Sequence, residues 1–150
     1  MKTHDNCIFC EIVVGQMPCF KLLEDEDTLA FMDIYPANDG HCLVIAKEHY
    51  PTLFDISDEA LAAVSRSASR VARAVQQALS PTGLNLVQAN GPGAQQSVAH
   101  FPYACATART WRRVKTELGR KGWRHRYHSH DCREDPRQAL NGSLPASFLV

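Results

Sequence analysis

Gly40-His-Cys-Leu-Val-Ile-Ala-Lys-Glu-His49 is the stretch that decides the fold. Pro36-Ala-Asn-Asp-Gly40 is a turn by composition, and His41 to Ala46 follows it as a continuous apolar run that reads as a strand. Upstream, Phe20–Glu24 and Thr28–Ile34 read as two more strands, separated by the acidic turn Asp25-Glu26-Asp27. Downstream, Ser57 supplies an N-cap, and Asp58 and Glu59 place acids in a first helical turn. Leu61, Val64, Ala68, Val71, Val75 and Leu79 then recur at three- and four-residue steps, until Pro81 and Gly83 stop the helix. Leu84–Ala89 alternates as a strand, Asn90–Gln95 is a Gly/Pro loop, and Gln96–Phe101 reads as the start of another strand. Before all of these, Cys7 to Gly15 is a short, tight segment that fits a short N-terminal helix. The expected class is α+β, a mainly antiparallel sheet with one long helix.

A chain of 150 residues with 45% hydrophobic content is enough for one domain with a real core. It holds no run of about 18 apolar residues, and Met1-Lys-Thr-His-Asp-Asn-Cys7 lacks the apolar region of a signal peptide. The expectation is therefore a cytoplasmic location with no membrane partner. The net charge of zero hides a break. Through Phe101 there are six Lys/Arg against twelve Asp/Glu, and from Pro102 onward ten against four. Past Phe101 the strand and helix patterns fail, and residues 119–139 contain almost no aliphatic side chain. The expectation is a domain over 1–101 and a basic, poorly ordered tail over 102–150.

Three constellations carry chemistry. Cys7-x-x-Cys10 offers two thiolates that can share one tetrahedral Zn²⁺, with His49 and His100 available as the other ligands. A redox pair and two plain buried cysteines are the competing readings, although the flanks do not resemble a thioredoxin-like unit. Asn90 to Gln96, followed by Ser97, is a Gly-rich loop that either cradles a phosphate or is an ordinary connection. His41, taken singly, fits a satisfied structural histidine as well as a catalytic one.

In this order, four stretches resemble the histidine-triad family. They are Cys7-Ile-Phe-Cys-Glu-Ile12, Leu29-Ala-Phe-Met-Asp-Ile-Tyr-Pro36, Gly40 to His49, and Asn90 through Gln96-Ser-Val-Ala-His100-Phe101. The resemblance covers about residues 5–101, two-thirds of the chain. It implies a small domain, usually a homodimer, that binds a purine nucleoside monophosphate unit and breaks the bond from its α-phosphate to a leaving group. By the same resemblance, Asp33 holds the ribose hydroxyls, and Ile8, Phe9 and Ile34 line the base pocket. Asn90, Gln96 and Ser97 contact the phosphate, while His41 supports the triad from outside. In the family's metal-binding branch Cys7, Cys10, His49 and His100 match four ligands of a structural zinc.

The pattern then departs. The family continues His-x-His-x-His, with the middle histidine as nucleophile. Pro102 stands at that nucleophile position and Ala104 at the third histidine. Proline offers no nucleophile and no backbone N–H for a sheet. A shifted reading frame would account for this break, and a genuine divergent tail is the alternative. Taking bases two and three of each codon with base one of the next, residues 102–109 can encode His-Met-His-Val-Leu-Pro-Arg, the family's missing segment. The codons from Arg113 to Arg120 can likewise encode Glu-Leu-Lys-Leu-Asn-Trp-Gly. One extra base at or just before codon 102 is therefore the expected cause.

Two function classes follow. One is a nucleotidyl hydrolase or transferase acting on nucleoside phosphoramidates, adenylated molecules or dinucleoside polyphosphates, inactive in this chain for want of its nucleophile. The alternative is a nucleotide-binding pseudoenzyme, or binding module, whose basic tail contacts nucleic acid or another acidic partner.

Overall fold

Ser57 opens the long helix as expected: its Oγ accepts the Ala60 N–H at 3.2 Å, satisfying one of the donors a helix start leaves free. In the computed structural model, which describes residues 2–108, this helix α2 spans Asp58–Leu79. It ends at Ser80, whose left-handed φ of 43° lets its N–H bond the Gln76 carbonyl. The short helix α1 covers Ile8–Val13. Five strands complete the fold: β1 Lys21–Glu24, β2 Thr28–Met32, β3 Cys42–Ala46, β4 Gly83–Val87 and β5 Pro102–Ala108. They form one antiparallel sheet in the order β1-β2-β3-β5-β4. No described helix is long and apolar enough to cross a membrane.

The strand pleat divides the core in two. On one face Ala30, Cys42, Val44, Ala46, Phe101 and Cys105 pack against Val64, Ala68, Val71 and Val75, the apolar stripe of α2. On the other, Leu29, Phe31 and Ile45 pack against Cys7, Phe9 and Cys10 at α1. A helix thus covers each face, and the small helix carries the Cys-x-x-Cys pair into the core. Gly40 allows the close approach of the β3 turn to α2. Its φ is +76°, and a Cβ there would lie 2.5 Å from Leu79 Cδ1.

One expectation is corrected. The sheet does not fail past Phe101: residues 98–100 form a bend, and β5 begins at Pro102. Pro102 is the strand's first residue, a position where a missing N–H is tolerated. Tyr103, Cys105 and Thr107 then alternate with Ala104, Ala106 and Ala108, and β3 and β4 pair with β5 from both sides. The described fold therefore runs to Ala108. Residues 109–150, including the 119–139 stretch expected to be poorly ordered, lie outside the described residues.

Candidate functional site

The four metal-ligand candidates come from three places in the chain and meet in the buried layer beneath α1. Cys7 and Cys10 lie one helical turn apart, Cys7 immediately before α1 and Cys10 within it; His49 follows β3, and His100 precedes β5. All four are buried, and one ligand atom from each lies within 4.8 Å of the others. Sγ of Cys7 is 3.4 Å from His100 Nδ1, and Sγ of Cys10 is 3.3 Å from His49 Nδ1 and 3.7 Å from His100 Nδ1. Bond lengths of about 2.3 Å to sulfur and 2.0–2.1 Å to nitrogen put the corners of a tetrahedron round zinc about 3.3–3.8 Å apart. The three distances fall in that range, so the donor set fits Zn²⁺ in type and in spacing.

The surroundings favour the ligand forms of the imidazoles. His100 Nε2 donates to the Ala46 carbonyl at 2.8 Å, which turns the Nδ1 lone pair toward the thiols. Burial pulls the His100 pKa down to about 4, and it lowers His49 as well, helped by the charges of His4 and Lys2. Both rings are neutral at pH 7. Burial also raises the Cys10 thiol, so a metal is what would favour its thiolate.

The residues matched to nucleotide binding lie in α1, just after β2, and in the loop between β4 and β5. Phe9 is buried edge-on against Phe31 at 5.5 Å and against His100 at 5.7 Å, while Ile8 packs at the margin of this layer. Asp33 is half-buried, and its Oδ1 accepts the Tyr35 N–H at 2.8 Å. Ile34 is 58% exposed. In the loop, Asn90 Oδ1 accepts the Leu53 N–H at 2.7 Å. Gln96 Oε1 accepts the Gly91 N–H at 2.7 Å, and its Nε2 donates to the carbonyls of Pro51 and Val98. Both amides therefore brace the loop from within. Ser97 is exposed.

His41 has an unusual half-satisfied ring. Its Nδ1 accepts the Ala37 N–H at 2.9 Å, so the proton sits on Nε2, and that buried atom has no partner. Burial lowers the His41 pKa, opposed by Asp33, whose Oδ2 is 3.7 Å away. The pair is therefore a neutral histidine beside a carboxylate, not a salt bridge. Pro102 pairs with Ile45, and Ala104 with Leu43 and Val87, which puts both on the α1 face of the sheet. His41, two residues before Leu43, lies on that face diagonal to Ala104. Asn85, paired with Ala106, holds a second buried nitrogen without a partner.

Sequence reasoning did not find the roles of Lys2, His4, Ala37, Ala46 or Asn85. Four of these act through backbone groups, or through a ring contact with no spacing rule, and leave no motif.

A model of the HIT domain matches residues 14–101. The chain is 41% identical over 101 residues to Protein hit of Bacillus subtilis, covering 67% of this chain and 70% of that one. It is 43% identical over 98 residues to adenosine 5'-monophosphoramidase hnt1 of Schizosaccharomyces pombe, covering 65% and 71%. Its fold superposes on a Zn-bound histidine triad family protein from Mycobacterium smegmatis with a TM-score of 0.67 and 36% identity, covering 71% of this chain and 77% of that one. Fold, site and sequence agree: the chain belongs to the HIT domain family.

Proposed function

We propose that this chain keeps the nucleotide-binding scaffold of a HIT nucleotidyl hydrolase or transferase and lacks the means to turn its substrate over. The observation that carries this is the coincidence of two boundaries. The family match stops at Phe101, and the next residue on the α1 face, Pro102, occupies the nucleophile position. Nucleotidyl transfer through a histidine needs an imidazole lone pair in line with the α-phosphate. Proline has none, and Ala104 has none at the third position. The unpartnered Nε2 of His41 supports the same reading, since it lies diagonal to a position where only a methyl group now stands.

Within this reading, the face bearing Phe9 receives the base of a purine nucleotide, Asp33 its ribose, and the 90–97 loop its phosphate. Because the amides of Asn90 and Gln96 hold the loop in shape, its backbone N–H groups and Ser97 are the groups left to meet a phosphate. Zinc held by Cys7, Cys10, His49 and His100 supplies structure and no chemistry, because four protein ligands leave no open position. The break in the motif is assigned to one extra base near codon 102, and the basic stretch after residue 108 to the shifted frame.

The test is to mix the protein with an adenosine 5'-phosphoramidate, quench it, and measure its intact mass. An unmodified mass together with AMP binding by calorimetry is expected. A nucleotidyl adduct would overturn the assignment of residue 102 as the nucleophile position.

A further inference from the structure

The segment before α1 makes three separate contacts with the candidate metal centre. The Lys2 carbonyl accepts the His49 N–H at 2.8 Å. The His4 ring stacks on the His49 ring with centroids 5.1 Å apart and planes 23° from parallel. The His4 carbonyl accepts the Cys7 N–H at 3.2 Å, which fixes the residue that opens the Cys-x-x-Cys turn.

These contacts reach two of the four ligands, His49 and Cys7, from outside the core. Lys2 and His4 are both exposed, so their order is not a by-product of burial in an apolar layer. A ligand follows a metal only as well as its own support allows, and groups behind the ligands govern how tightly a metal is held. The other side of the centre is closed by Phe9 and the Ala46 carbonyl, both in the sheet-and-helix layer. Residues 2–4 close the side that faces solvent.

We propose that residues 2–4 are a strap that positions His49 and Cys7 for zinc and slows the escape of the ion, with His4 as its anchoring residue. This rests on the zinc reading given above. His4 acts in two ways: its ring holds the His49 plane, and its carbonyl holds the Cys7 N–H. His4 is a positioning residue and ligates nothing.

The experiment is the rate of zinc release from the full chain into excess chromogenic chelator, compared across variants with zinc content measured beforehand. Removing residues 2–4 should speed release roughly tenfold to a hundredfold, the usual effect of losing the groups behind a metal ligand. His4→Ala removes the ring and keeps the carbonyl, so it should give a part of that effect. Thr3→Ala should leave the rate unchanged. Zinc-loaded proteins that all release at the same rate overturn the strap while leaving the zinc reading intact. An equal acceleration by Thr3→Ala also overturns it, because the effect would then be general fraying. A full chain that takes up no zinc overturns the metal reading itself, and the strap with it.

Discussion

His100 and Cys7 are 93 positions apart in the chain, yet His100 Nδ1 lies 3.4 Å from Cys7 Sγ. The contact joins the residue before α1 to the segment that leads into β5. His49 makes the corresponding link to the end of β3 through Cys10. A metal here would clip three remote parts of the chain together, and its binding energy would be folding energy. Cys10→Ser should therefore lower zinc from about one per chain to a small fraction and lower Tm by about 10 °C or more. Metal analysis and a thermal melt check this, and an unchanged Tm would contradict it.

Acid should destabilise the fold through His41. Its pKa is lowered in the folded state, so the unfolded chain binds the proton more readily. The stability this neutral ring contributes is present above the unfolded value of about 6.5 and is lost as pH falls below it. His41→Asn keeps an acceptor for the Ala37 N–H and removes the titration. Urea midpoints between pH 7.5 and 5 should fall less steeply for the variant. Parallel slopes would count against this account.

Gly40→Ala should destabilise the fold by about 1–3 kcal/mol, the range for a residue forced into a sparsely populated backbone region. Its φ of +76° disfavours a side chain, and the added Cβ would meet Leu79 at 2.5 Å. Chemical denaturation measures the loss directly.

Gln96→Ala should loosen the loop without unfolding the domain. It removes the acceptor for the Gly91 N–H and the donors to Pro51 and Val98. At a net worth of about 1 kcal/mol for the one hydrogen bond it loses, exchange of the Gly91 amide should quicken roughly fivefold. AMP should bind more weakly by a similar factor. Unchanged exchange would show that the loop is held by other groups.

Much of this was legible from residue spacing. The step pattern from Leu61 to Leu79 marks α2, because a helix buries every third or fourth residue. The apolar run from Cys42 to Ala46 marks β3, which is covered on both faces. Cys7, Cys10, His49 and His100 were grouped by residue type and resemblance, and the structure brings them together. Strand β5 was not legible. Its side chains are small and it opens on proline, so local propensity argues against it, while pairing on both edges favours it. The strand start expected at Gln96–Phe101 is absent: residues 98–100 bend, and Gln96 ties the loop back to Pro51. The half-satisfied ring of His41 was also hidden, since it depends on a backbone N–H four residues away and on what Ala104 lacks.

The central claim is that residue 102 occupies the catalytic position and that one reading frame separates this chain from an active enzyme. The direct measurement compares three proteins at equal zinc content for release of ammonia from an adenosine 5'-phosphoramidate. They are the chain itself, its Pro102→His variant, and the product of deleting one base at codon 102. The account predicts background rates for the first two, because Pro102→His still lacks the third histidine at Ala104 and the remainder of the family strand, and turnover for the third. Turnover by the unmodified chain, or a folded but inactive frame-restored protein, would contradict it.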